Sequence, residues 1–267
     1  MILDSFKQIT LEYKNEQINV FSKGEGQTIA FLSGFGSFFP LAEFYELANV
    51  LSKNYHCLII DRFGYGLSSH VDIPRTFDNL IEEIHTVLTK LNINKYYLLG
   101  HSFGTFISLN YAKKYDVDGL ILLDGFYPES DISDLEEEIL AVLDQKNSIS
   151  FDMINSIPDN EILAEYPYIN DEELKKRVIQ CFKKNTLNPT MVNELLDTKE
   201  ELIDICHNLD AVHCDKTLLF CSNNSLGNAN LIKKTLPKAM IIELHTSEHY
   251  LHKTHYREIS EKLCNIL

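Results

Sequence analysis

Residues 96–100 are apolar and strand-like, residues 105–115 carry apolar side chains at helical spacing, and only the pentapeptide Gly100-His101-Ser102-Phe103-Gly104 joins them. A strand that passes into a helix with no intervening loop must double back at its central residue. Glycine on both sides removes the side chains that would otherwise clash there. The geometry is strained, and it pushes the Ser102 hydroxyl out of the turn. The start of the helix adds backbone N–H groups and the positive end of a dipole where an anion would form. This G-x-S-x-G pattern therefore requires a strand before it and a helix after it.

The rest of the 267-residue chain supplies further strands and helices. Candidate strands lie at 6–13, 17–22, 28–33, 55–61, 96–100 and 119–123, with helical patterns at 41–52, 77–91 and 103–115. In the second helix Leu80, Ile84, Val87, Leu88 and Leu91 form one apolar stripe. Strand–helix alternation with doubly buried strands predicts an α/β chain with a mainly parallel sheet of about eight strands and helices on both faces. The first two strands read as an antiparallel hairpin at its edge. Between 127 and 213 the strands stop: charged helical stretches at 135–143, 171–184 and 191–206 are punctuated by Pro128, Pro158, Pro167 and Pro189. Strand rhythm resumes at 217–221 and 239–244, with helices near 230–236 and 250–267. The expected organisation is a core of residues 1–126 and 214–267 with a helical segment, 127–213, inserted between the sixth and seventh strands.

Charge sharpens that boundary. The net charge is −15, of which 127–213 carries −13, against −4 for 1–126 and +2 for 214–267. A polyanion partner needs clustered Lys and Arg, so nucleic acid is excluded as an expectation; the acidic excess reads as a solvated helical face. No apolar run approaches the ~18–20 residues of a membrane helix, and the first residues lack the pattern of an export signal, which predicts a cytoplasmic protein. The six cysteines are scattered and do not suggest a disulfide scaffold. Cys206-His207 and His213-Cys214 are adjacent pairs, unlike the two-to-four-residue spacing of structural zinc ligands. No metal and no organic cofactor is expected.

With Leu32-Ser33-Gly34-Phe35-Gly36 after the third strand, Asp61-Arg62-Phe63-Gly64-Tyr65-Gly66-Leu67-Ser68 after the fourth, the turn at Ser102 and a histidine before the last helix, the chain resembles the α/β-hydrolase family. Gly64-x-Gly66 is no dinucleotide loop, since Ser69 occupies the third glycine position. The resemblance implies that Ser102 is a nucleophile, that the backbone N–H groups of Phe35 and Phe103 form an oxyanion hole, and that 127–213 is a cap. Many relatives have His where Ser33 stands. Among His245, His249, His252 and His255, the family's strand–loop–His–helix order favours His249 as the base; His245 is assigned to the strand, and His252 and His255 to the surface of the closing helix.

The acid departs from the commonest family pattern. After the seventh strand the chain reads Ser222-Asn223-Asn224-Ser225, without a carboxylate. The resemblance to lipases and haloalkane dehalogenases that carry the acid after strand six favours Asp124, with Asn223 or Asn224 as the alternative partner for the histidine. Phe38, Phe39, Phe126 and Tyr127, together with Phe35 and Phe103, fall on loops expected to line an apolar pocket. The implied function is hydrolysis of a carboxylic ester of a small, largely apolar substrate. The alternatives are an aminopeptidase or amidase of the proline-iminopeptidase kind and a non-catalytic ligand receptor on the same fold.

Overall fold

A computed structural model describes residues 6–125, 132–207, 209–212 and 214–267. Strands β1 (Lys7–Tyr13) and β2 (Glu16–Lys23) form the expected hairpin, closed by Lys14 and Asn15, both at positive φ (52° and 64°). A two-residue turn of that hand matches the right-handed twist of the strands it joins. β2 also runs antiparallel to β4 (His56–Asp61), whereas β3 (Thr28–Leu32), β4, β5 (Tyr96–His101), β6 (Gly119–Leu123), β7 (Thr217–Cys221) and β8 (Met240–Glu243) are parallel. The eight strands stand in the order β1-β2-β4-β3-β5-β6-β7-β8.

Five-residue runs such as Gly119–Leu123 and Thr217–Cys221 are buried throughout, as strands covered on both faces must be. One face packs α2 (Phe77–Lys90) and α3 (Phe103–Lys114) through Leu80, Ile84, Val87, Ile107 and Tyr111; the other packs α1 (Pro40–Leu51) through Phe44, Leu47 and Leu51. Thr76 caps α2 by accepting a hydrogen bond from the Asn79 N–H.

Between β6 and β7 the described residues form α4 (Ile132–Ser148), α5 (Phe151–Ser156), α6 (Asp159–Ala164), α7 (Glu172–Asn185) and α8 (Pro189–His207), followed by a 3₁₀ turn, Leu209–Ala211. The short α5 and α6 are absent from the sequence expectation because neither completes two turns, too little for a periodic stripe. After β7 come α9 (Leu226–Thr235), α10 (Leu251–Thr254) and α11 (Tyr256–Ile266). Two boundaries differ from expectation: α9 begins directly after the β7 loop, and the closing helix is broken at His255, whose N–H bonds back to Leu251 O at 2.8 Å. Among the described residues no helix is long and apolar enough to cross a membrane.

β3 leads through α1 to β4 on one side of the sheet, while β5 leads through α3 to β6 on the other. Where connections diverge in this way a crevice opens at the carboxyl ends of the strands. The loops after β3 and β5 face one another across it.

Candidate active site

Ser102 sits at the bend between β5 and α3 with φ +50° and ψ −120°, a conformation that costs a non-glycine residue about 1–3 kcal/mol. The surroundings enforce it. A Cβ on Gly100 would lie 2.3 Å from Gly104 O, and one on Gly104 would lie 2.2 Å from Leu32 O, so the pentapeptide tolerates no side chain at either flank. The Ser102 N–H donates to Leu123 O at 3.1 Å, and its carbonyl accepts from the N–H and hydroxyl of Thr105 at 2.9 and 2.7 Å. Gly34, on the loop after β3, comes so near that a Cβ there would stand 3.0 Å from Ser102 Cβ. The half-buried Phe35 follows it, and Phe103 opens α3, stacked on Phe77 at 5.9 Å.

At the end of β6, Asp124 also has positive φ, 46°, and is almost fully buried. Its Oδ2 lies 2.7 Å from His249 Nδ1. Its Oδ1 accepts from the Ser222 N–H at 2.8 Å and from the Ser225 hydroxyl. Burial pushes this carboxyl upward, but hydrogen bonds from His249, Ser225 and Ser222 outweigh it and hold Asp124 below the usual carboxylate range. With Nδ1 donating to a carboxylate, His249 presents Nε2 as an acceptor, and the ring is 45% exposed. Asn223 and Asn224 are exposed and bind the 244–250 loop instead: the Asn223 N–H donates to Thr246 O at 2.8 Å and the Asn224 amide to Ser247 O at 3.2 Å.

The other histidines separate clearly. His245 lies beyond the end of β8 and is exposed, not within the strand as expected. His255 is partly exposed between α10 and α11. His252, expected at the surface, is fully buried, because α10 is a single turn packed onto α1, with the His252 ring 4.7 Å from that of Phe44. His101 donates from Nε2 to the His249 carbonyl at 3.1 Å, and burial, aided by the neighbouring His249, lowers its pKa to about 3. It is a neutral ring holding the loop that carries His249.

Glu43, His101 and His252 converge beneath that loop with all their potential ligand atoms within 4.8 Å of one another, and His252 Nε2 is 4.0 Å from Glu43 Oε2. Of the cysteine–histidine pairs, only Cys214 has a described side chain, and its thiol donates to Lys216 O at 3.2 Å.

Of the residues expected to line the pocket, Phe38 is half-buried and meets Tyr166 and Phe182 edge-on at 5.8 and 5.0 Å, which ties the β3 loop to the inserted helices. Phe39 has no exposed surface and packs edge-on against Phe21; as the extended residue before α1 it turns its ring into the core and not towards the crevice. Phe126 and Tyr127 lie outside the described residues. Sequence reasoning missed Tyr250, 42% exposed with its ring 5.4 Å from that of His249, whose only signal is adjacency to the histidine. It also missed Ser222 and Ser225, the donors that keep Asp124 charged.

Comparison with known proteins agrees with this architecture. The family model for the alpha/beta hydrolase fold matches residues 28–148. A serine hydrolase-like protein of Mus musculus is 36% identical over 86 residues, 31% of this chain and 28% of that one. The proline iminopeptidase PfmaB of Pestalotiopsis fici is 24% identical over 220 residues, 76% of this chain and 78% of its own length. The crystal structure of an E-2-(acetamidomethylene)succinate hydrolase superposes with a TM-score of 0.74 at 18% identity, covering 97% of this chain and 98% of that one. The match thus spans less than a third of the mouse protein, while the fold extends over nearly the whole chain. The chain has the α/β-hydrolase fold, matched by the family model over 28–148 and by solved structures over nearly its whole length.

Proposed function

We propose that this protein is a serine hydrolase that cleaves a carboxylic ester of a small, largely apolar substrate through an acyl-enzyme. The observation that carries the reading is the 2.7 Å His249–Asp124 pair on the same sheet edge as the strained Ser102. His249 Nε2 takes the Ser102 proton as Oγ attacks the substrate carbonyl. Asp124 holds the imidazole in the required tautomer and stabilises the imidazolium, while the N–H groups of Phe35 and Phe103 receive the developing oxyanion. His249 then returns the proton to the leaving alcohol, and water activated by the same ring releases the acid. A serine nucleophile favours acyl transfer over the alkyl-ester chemistry of an aspartate. The helices between β6 and β7 act as a cap over the crevice, and Phe35, Phe38 and Tyr250 are the apolar wall nearest the chemistry.

A second reading, an aminopeptidase or amidase, is favoured by the likeness to a proline iminopeptidase over 76% of the chain. The test is labelling by a serine-directed phosphonate, wild type against Ser102→Ala, followed by kcat/KM on p-nitrophenyl esters of increasing acyl length and on aminoacyl anilides. Labelling that depends on Ser102, with esters preferred, is the expected result. Preference for anilides selects the second reading, and a folded protein that takes no label is not a serine hydrolase.

A further inference from the structure

Four fully buried charged side chains form one neutral cluster that runs from the inserted helices to the loop beside Ser102. Glu194, on α8, accepts through Oε2 from Arg62 Nη2 at 3.1 Å and from the Tyr65 hydroxyl at 2.7 Å, and through Oε1 from Arg62 Nε at 3.2 Å and Arg75 Nη2 at 3.1 Å. Arg75 also binds Glu83 at 2.7 Å. Glu194 belongs to the acidic segment expected to form a solvated face, yet its exposure is 0%. The remaining corner of the Arg62 guanidinium, Nη1, donates to the Ser33 carbonyl at 2.9 Å and to the Ser33 hydroxyl at 3.3 Å.

The Ser33 carbonyl belongs to the peptide unit that enters Gly34, and the next unit carries the Phe35 N–H. At the other end of the same loop, the Phe38 carbonyl accepts from the Asn185 amide at 2.9 Å, and that amide also reaches Gly66 O at 2.8 Å. Asn185 closes α7. The loop is therefore gripped at both ends by side chains that sit on, or are clamped by, the inserted helices. A buried ion pair contributes little net stability, because desolvation offsets attraction. A guanidinium bound through three nitrogens contributes direction, since its planar fork fixes where each N–H points.

We propose that Arg62, clamped by Glu194, and Asn185 are positioning residues for the oxyanion donor at Phe35, so that the docking of α7 and α8 sets the geometry of the loop. The inference rests on the serine-hydrolase reading for its catalytic consequence, while the grip on the loop is testable by itself.

Arg62→Lys keeps the charge but cannot reach both Glu194 and Ser33. On a p-nitrophenyl ester, with sites counted by phosphonate titration, kcat per site is expected to fall about ten- to hundredfold. KM should stay within about threefold, the signature of an interaction made in the transition state. Affinity for a boronic acid, whose tetrahedral adduct uses the same donor, should fall in step with kcat. Hydrogen exchange of the 34–35 amides should quicken relative to those of β5. Asn185→Ala should move the same readouts more weakly, and Tyr65→Phe, which removes only one bond to Glu194, serves if Arg62→Lys does not fold. Unchanged kcat per site and unchanged exchange, with only a lower Tm, would overturn the proposal. If the wild type neither turns over nor labels at Ser102, the hydrolase reading fails, and the exchange comparison alone decides whether the clamp holds the loop.

Discussion

Asp124 Oδ2 and His249 Nδ1 lie 2.7 Å apart, although 125 residues separate them in the chain. The contact exists because β6 and β7 are neighbours, so that the residue after β6 meets the loop that follows β8 across the β7 turn. Asp124→Asn should leave the ring geometry intact and reverse the tautomer, lowering kcat by about 10⁴. Asn223→Ala and Asn224→Ala should cost less than about tenfold. Steady-state rates on one activated ester, with circular dichroism as the folding control, compare the three.

Ser225→Ala removes a hydroxyl donor from Asp124 and leaves the Ser222 N–H in place. The carboxyl should move up towards its ordinary value, and kcat should fall by only roughly three- to tenfold because the Ser222 N–H and His249 still bind the carboxylate. Titration of the carboxylate by NMR, in wild type and variant, measures the shift directly.

His101 has a folded pKa of about 3, well below the unfolded value near 6.5. The unfolded chain binds this proton first, so the stability contributed by neutral His101 is fully present above pH ~6.5 and is lost as pH falls towards the folded value. His252, lowered by burial with help from His101, acts with the same sign, whereas Glu43, raised by burial, acts with the opposite one. His101→Gln should therefore remove about 1.4 kcal/mol per pH unit from the acid slope of the unfolding free energy between pH ~6 and ~4. Urea unfolding at half-unit pH steps, wild type against variant, checks the difference; parallel slopes would contradict it.

Gly100→Ala and Gly36→Ala separate crowding from backbone strain. The first places a methyl 2.3 Å from Gly104 O, while the second meets nothing within 4 Å and bears only the penalty of φ +78°. Expected losses are about 3 kcal/mol or more for the first and about 1–2 kcal/mol for the second, read from denaturant midpoints.

Much of the frame was legible because its signals are local. Strand and helix patterns at 28–33, 55–61, 77–91 and 96–115 lie close to β3, β4, α2, β5 and α3, and the glycines of 100–104 announce a turn whose steric reason is the backbone of Gly104 and Leu32. Burial of single polar residues was less legible. Nothing in the spacing of His252 or Glu194 distinguishes them from surface groups, since each lies in a charged helical stretch and becomes buried only where its helix docks. Phe39 illustrates the converse: a loop aromatic beside a crevice turns into the core because it precedes α1 in extended conformation.

Local pattern alone dictates what propagates along the chain: the alternation of strand and helix, the run of helices between β6 and β7, and the turn at Ser102. Periodicity and glycine sterics act over a few residues and need no partner. Only the tertiary structure decided which side chains meet: Asp124 with His249, His101 with the His249 carbonyl, and Glu194 with Arg62 and so with the loop at Ser33. Those contacts depend on strand order and on how the inserted helices dock, and a hydrogen bond is specified by position in space to within a few tenths of an ångström, which no local pattern encodes.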